Sequence, residues 1–171
     1  SSPVSPLRLL CRVLRGETAS WPDDADAGFT RRFLDVCAVA GVAALVHHHL
    51  RSSPAWHDWP ALVREPLLHQ ARMQAALDMI RERELVAVLA ALAGAGIGTL
   101  LLKGAALAYS HYPEPALRTR CDADLLIRPA DRDAAARVLE GRGYRRPNAV
   151  SGTLVSYAEC HVKREGAVEH V

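Results

Sequence analysis

Apolar residues recur at helical spacing through about the first hundred positions, and beyond them the period shortens. Leu7, Leu10, Cys11 and Leu14 predict a short amphipathic helix closed by Gly16. Residues 17–27 are polar, carry Trp21-Pro22 and three aspartates, and read as a loop. A second helical stretch over 30–50, broken near Gly41, sets Phe33, Leu34, Cys37, Leu45 and Val46 on its apolar side. Residues 52–60, with their prolines and tryptophans, form a connector. A long helix follows from about 66 to 93, burying Leu77, Ile80, Leu85, Val88 and Leu92. Asp78, Arg81 and Glu84 are spaced to support one another on its wet side.

After Gly98 the elements become short. Leu100-Leu101-Leu102 suits a buried strand, and 105–109 a short helix stopped by Pro113 and Pro115. Leu125-Leu126-Ile127 extends a strand that carries Asp122 and Asp124. Pro129 fits the first turn of a further helix, which buries Ala135, Val138 and Leu139 and ends at Gly141 or Gly143. Residues 154–162 and 167–171 read as strands joined by a turn at Glu165-Gly166. The expected fold is mixed α+β, with a helical N-terminal region over 1–95 and a small sheet with flanking helices over 96–171.

Composition narrows the function classes. At 171 residues and 50% hydrophobic, the chain can bury a substantial core in one domain, or in a small domain with a helical module. A net charge of +2 gives no argument for DNA or a membrane surface. Residues 118–146 hold eight arginines against five acids, which suits a polyanionic ligand and a solvated helix face equally. Cys11, Cys37, Cys121 and Cys160 show no paired spacing and read as reduced thiols of a cytoplasmic protein, with Cys121 packing as a small apolar residue. The 18 uncharged residues 85–102 touch the lower limit for a membrane span. Gly94, Gly96 and Gly98 interrupt them and Lys103 follows, so a helix end, a turn and a strand are expected and no membrane. That glycine series follows a helix and precedes a strand, the reverse of a dinucleotide fingerprint. His47, His48 and His49 diverge around a helix and cannot converge on one metal ion.

The chemistry concentrates at Asp122-Ala123-Asp124. Strand side chains alternate, so both carboxylates are expected on one face with Ala123 pointing into the fold. Two like charges there require compensation. Arg118 and Arg120 could supply it as an ion-pair cluster, or a hard divalent cation with oxygen ligands could. Lys103-Gly104-Ala105-Ala106 lies where a strand gives way to a helix, whose first amides can receive phosphate oxygens. A plain strand-to-helix turn fits the same residues.

Leu101-Leu102-Lys103-Gly104-Ala105-Ala106-Leu107, then Tyr112-Pro113-Glu114-Pro115-Ala116-Leu117-Arg118, then Cys121-Asp122-Ala123-Asp124-Leu125-Leu126-Ile127 form a unit. This unit resembles the bacterial uncharacterised nucleotidyltransferase family of the DNA polymerase β-like nucleotidyltransferase superfamily. The resemblance implies a small polymerase β-like sheet, a glycine-containing turn that grips a triphosphate, and an Asp-x-Asp pair that binds two Mg2+ (or Mn2+) ions. Carried over, Lys103, Gly104 and Ala105 are nucleotide-binding, with Lys103 where a small residue is common elsewhere. Asp122 and Asp124 become catalytic metal ligands, and Arg118 a triphosphate contact. The implied reaction moves a nucleoside monophosphate from a triphosphate such as ATP to a hydroxyl on a small molecule, peptide, protein or RNA. The superfamily also implies a third carboxylate on a later strand, just beyond 169–171; Glu169 substitutes only if the register allows. With the chain ending at Val171, the core is expected to be incomplete at its C-terminus. The alternative is a catalytically incomplete module that binds nucleotide or only a protein partner.

Overall fold

A computed structural model describes residues 4–147 and 158–171 of this mixed α+β chain. Its elements are α1 (Pro6–Leu14), α2 (Ala27–Val39), α3 (Ala43–Arg51), α4 (Ala61–Gly94), β1 (Thr99–Leu102), α5 (Lys103–His111), β2 (Asp124–Ile127), α6 (Arg132–Gly141), β3 (Lys163–Glu165) and β4 (Val168–His170). They form two compact units, Ser1–Ala76 with Tyr112–Thr119, and Leu77–His111 with Arg120–Val171.

The first unit is a helical cluster whose helix starts are set by local capping. Ser5 Oγ accepts from the Arg8 amide at 3.3 Å, and Pro6 follows in the first turn, where its missing N–H costs nothing. Asp26 caps α2 by accepting from the Phe29 amide at 2.6 Å. Gly41, at φ +65°, turns the chain between α2 and α3, and the Thr119 hydroxyl donates to its carbonyl at 2.8 Å. Leu9, Phe33, Cys37, Val46, Trp59, Val63 and Leu67 form the core. Trp21 meets Phe29 and Phe33 edge-on at 5.4 and 5.5 Å, and Trp59 Nε1 donates to the Ala19 carbonyl at 3.0 Å, so no polar atom of that indole is wasted. Burial pushes the Cys37 thiol up to about 12, which makes it a packing group. The buried stripe of α1 is Leu9, Leu10 and Val13, whereas the expected Leu7 is exposed. Both sets fit the helical period, and only the position of the neighbouring helices selects between them.

α4 begins before the expected position and carries Pro66 inside it. The Val63 and Arg64 amides both bond back to the Pro60 carbonyl, so the helix is already established when Pro66 arrives. The proline then forgoes one ladder bond near the start, a tolerable loss while Val63 and Leu67 anchor the same turns in the core. No single helix among the described residues is long and apolar enough to cross a membrane. α2 and α3 pass that test only as a pair bent by 113°.

The second unit contains two small antiparallel sheets. β1 pairs with β2 in the register Thr99↔Ile127 to Leu102↔Asp124, and β3 pairs with β4 across Gly166 at φ +61°. Val88, Leu92, Ile97, Ala135 and Tyr144 make its core, with Leu125, Ile127 and Leu139 packed against it. Leu100 and Leu126, register partners, are exposed, so the sheet is covered on one face rather than buried as the apolar runs suggested. The strand expected over 154–162 is also corrected. Residues 154–157 lie outside the described residues, Val162 makes a lone bridge to Arg145, and the hairpin strand starts at Lys163.

The polar side of α4 departs most from expectation. Asp78 and Glu84, placed on the wet face by their spacing, are buried. Glu84 receives Lys163 Nζ at 3.0 Å and Arg142 at 3.4 Å. Spacing along one helix shows which charges can meet each other, but not which will meet partners on other elements. Burial alone would raise the Glu84 carboxyl; Lys163 and Arg142 outweigh it and hold it below its ordinary 4.5. A carboxyl depressed in the folded state contributes stability above its unfolded value and loses it as pH falls.

Two outcomes follow from this packing. The difference in unfolding free energy between wild type and Glu84→Gln should be full at neutral pH and shrink in urea titrations run progressively below pH 4.5. All three tryptophans lie in the first unit, so their fluorescence reports its unfolding. By that signal Phe33→Ala should cost about 3–5 kcal/mol.

Candidate active site

The candidate site residues Lys103, Asp122 and Asp124 lie at the junction of β1, α5 and β2. The register Leu102↔Asp124 brings the end of β1 beside the start of β2, so the residue after Leu102 is next to the aspartates. That residue is Lys103, and its backbone is left-handed at φ +49°. Among the described residues it is the one non-glycine at positive φ, a conformation that costs a side-chain-bearing residue about 1 kcal/mol or more. The left-handed residue of this turn is thus Lys103 and not the glycine that follows it.

The lysine's ammonium reaches Asp124, with Nζ 2.7 Å from Oδ1. Asp124 is half-buried at the first position of β2, and Asp122 precedes the strand and is exposed. Among the described residues Asp122 has no hydrogen bond or ion pair. Between them the Ala123 amide donates to the Val171 carbonyl at 2.9 Å, tying this stretch to the end of the β3–β4 hairpin.

Lys103, Asp122 and Asp124 open onto one cavity of about 860 Å3 within the second unit, at the large end of small-molecule sites. Its floor is apolar, with Val88, Leu92, Ile127 and Leu139, and Arg128 and Arg132 line it while paired with Asp131 and Glu159. Gly104 and Ala105 lie behind Lys103, half-buried and buried, and can offer a ligand only backbone groups. Arg118 belongs to the first unit, where it donates to Tyr112 Oη at 3.3 Å and lies 5.7 Å from that ring. Cys121 is exposed and lines the cavity, contrary to the expectation that it would pack. Glu169 turns outward and pairs with Arg164 at 2.8 Å, while its neighbour His170 faces inward to the cavity. Burial pushes the His170 imidazole down, so it is neutral at pH 7.

The expected arginine cluster takes a different form. Arg120 does not compensate Asp122 or Asp124 but forms a buried ion pair with Asp78 of α4 at 2.6 Å. It also donates to Tyr109 Oη of α5 at 3.2 Å. One guanidinium thus joins the helix that follows the Lys103 turn, the long helix, and the segment that leads into Asp122. Nothing in the local sequence marks Asp78 as its partner, because the two residues lie 42 positions apart.

The chain belongs to the uncharacterised nucleotidyltransferase family, whose model matches residues 29–169. Transfer of a nucleotidyl group is the general activity that this family implies. No curated protein and no solved structure matches the chain.

Removing one member of a buried ion pair strands the other charge, so Arg120→Met should cost about 3–5 kcal/mol. Chemical denaturation followed by far-ultraviolet dichroism reads this loss. Asp78→Asn combined with Arg120→Met should recover part of it, because no charge is then left uncompensated.

Proposed function

We propose that the cavity at Lys103, Asp122 and Asp124 binds a nucleoside triphosphate and transfers its nucleoside monophosphate group to a hydroxyl-bearing acceptor. The observation that carries this reading is the convergence of a turn lysine and two carboxylates on one cavity in a nucleotidyltransferase family member. Residues 96–171 would form the catalytic core and 1–95 a helical N-terminal region. ATP and the reduced interior of a bacterial cell supply the expected setting.

The residues present fit a hard divalent cation. Asp122 and Asp124 offer oxygen donors, and the position beside Asp124 already favours positive charge, since an ammonium lies 2.7 Å from its Oδ1. These two carboxylates would hold Mg2+ or Mn2+, which when bound neutralises triphosphate charge and lowers the barrier to in-line displacement. The chain's own groups do the rest. Lys103 and the first amides of α5, those of Gly104 and Ala105, hold the β and γ phosphates, and the positive end of the helix reinforces them. The acceptor oxygen forms a bond to the α phosphorus as the bond to the bridging oxygen breaks. Pyrophosphate leaves, and the hydroxyl proton passes to a base. Apolar side chains on the cavity floor limit water, which would compete with the acceptor as nucleophile.

A second reading has its own support. Among the described residues no group of three or more histidines, cysteines, aspartates or glutamates could hold a metal ion. A two-carboxylate site favours a module that binds nucleotide weakly or serves a protein partner. Calorimetry with Mg-ATP separates the two versions of this module, and no heat at millimolar nucleotide would leave only protein interaction.

Incubation with labelled ATP, GTP, CTP and UTP, Mg2+ and candidate acceptors tests the transferase. Asp124→Asn should lower transfer by about 100-fold or more, the scale expected when an electrostatic group at a reacting centre is lost. Unchanged transfer by that variant would overturn the assignment.

A further inference from the structure

We propose that Lys103 is an exchangeable counter-ion, holding Asp124 in the absence of nucleotide and passing to the phosphates when a triphosphate enters. The inference rests on the nucleotidyltransferase reading above and adds a linkage to it: the aspartate pair takes a divalent cation more tightly once nucleotide has drawn the lysine away.

The charge count supports the exchange. Two carboxylates and one ammonium leave a single negative charge at the start of β2. A divalent cation arriving alone must share Asp124 with an ammonium 2.7 Å away, and like charges so close oppose its binding. Once Lys103 leaves, the pair carries the double negative charge that matches a divalent ion. The lysine is built to leave. Its side chain is 73% exposed, and an ion pair this open to water is worth about 0–1 kcal/mol, too little to keep it from a triphosphate. Its stem is flexible and its head a compact point charge, so either anion can be met without moving the backbone.

The backbone argues in the same direction. At φ +49° this position favours glycine, yet a lysine occupies it. The left-handed turn aims the side chain back across the end of β1 toward the start of β2, beside the amides that open α5. Carboxylate and phosphate site thus lie within reach of one ammonium. The exposure of Asp122 and its lack of an ion pair among the described residues leave Asp124 as the member of the pair on which the exchange operates.

Binding of Mn2+, followed by the paramagnetic resonance of the free ion, tests this on the whole chain with and without a non-hydrolysable ATP analogue. Lys103→Met removes the charge at similar length, and Lys103→Gly removes it while easing the left-handed turn, so at least one variant keeps the fold. Without nucleotide both variants should bind Mn2+ about fivefold more tightly than wild type. Both should bind the analogue about tenfold more weakly, and Lys103→Arg should restore much of that affinity. Unchanged Mn2+ affinity in both variants would overturn the exchange and leave the aspartate site standing. Tighter Mn2+ with unchanged analogue binding would also overturn it, since the lysine would then only block the metal. Absence of Mn2+ binding in every form, even with the analogue, would sink this inference together with the reading beneath it.

Discussion

Buried negative charge on α4 is the constraint around which the second unit is organised. Asp78 and Glu84 sit inside the protein, where a lone carboxylate would be far too costly. Each must therefore recruit cations from distant parts of the chain: Arg120 for Asp78, and Lys163 with Arg142 for Glu84. These pairs are orienting contacts more than sources of net stability, because desolvation consumes much of their attraction. Their effect is to fix where the segment before Asp122 and the β3–β4 hairpin must lie. The segment from Asp122 to Asp124 is held from both sides by this scheme, through Arg120 upstream and through the Ala123–Val171 hydrogen bond.

At the site the opposite rule applies. Charge there is exposed or half-exposed and its compensation is loose. Lys103 meets Asp124 through a flexible stem in water, so the contact holds the two groups together only weakly. The same unit therefore contains two grades of ion pair, one buried and fixed, the other open and weak.

How far the sequence was legible varies by element. The break near Gly41 and the turn at Glu165-Gly166 were readable because each is a local event of a few residues. The family was readable because its motifs are contiguous between residues 101 and 127. Pro66 misled, because a proline rule applied to the sequence cannot see Val63 and Leu67 already anchored in a core. Leu100 and Leu126 misled similarly: an apolar run does not say whether a second layer covers the sheet.

By itself, then, the sequence determined most of the helical segments, the strands around 100–102 and 124–127 and the place of the carboxylate pair, all of which depend on neighbours a few positions apart. Only the tertiary structure decided which charges are buried, that Arg120 serves Asp78 rather than the aspartates, and that Lys103 faces Asp124. The reason is physical. Local propensity is written in backbone geometry along the chain, whereas the partner of a charge is set by which distant element displaces its water.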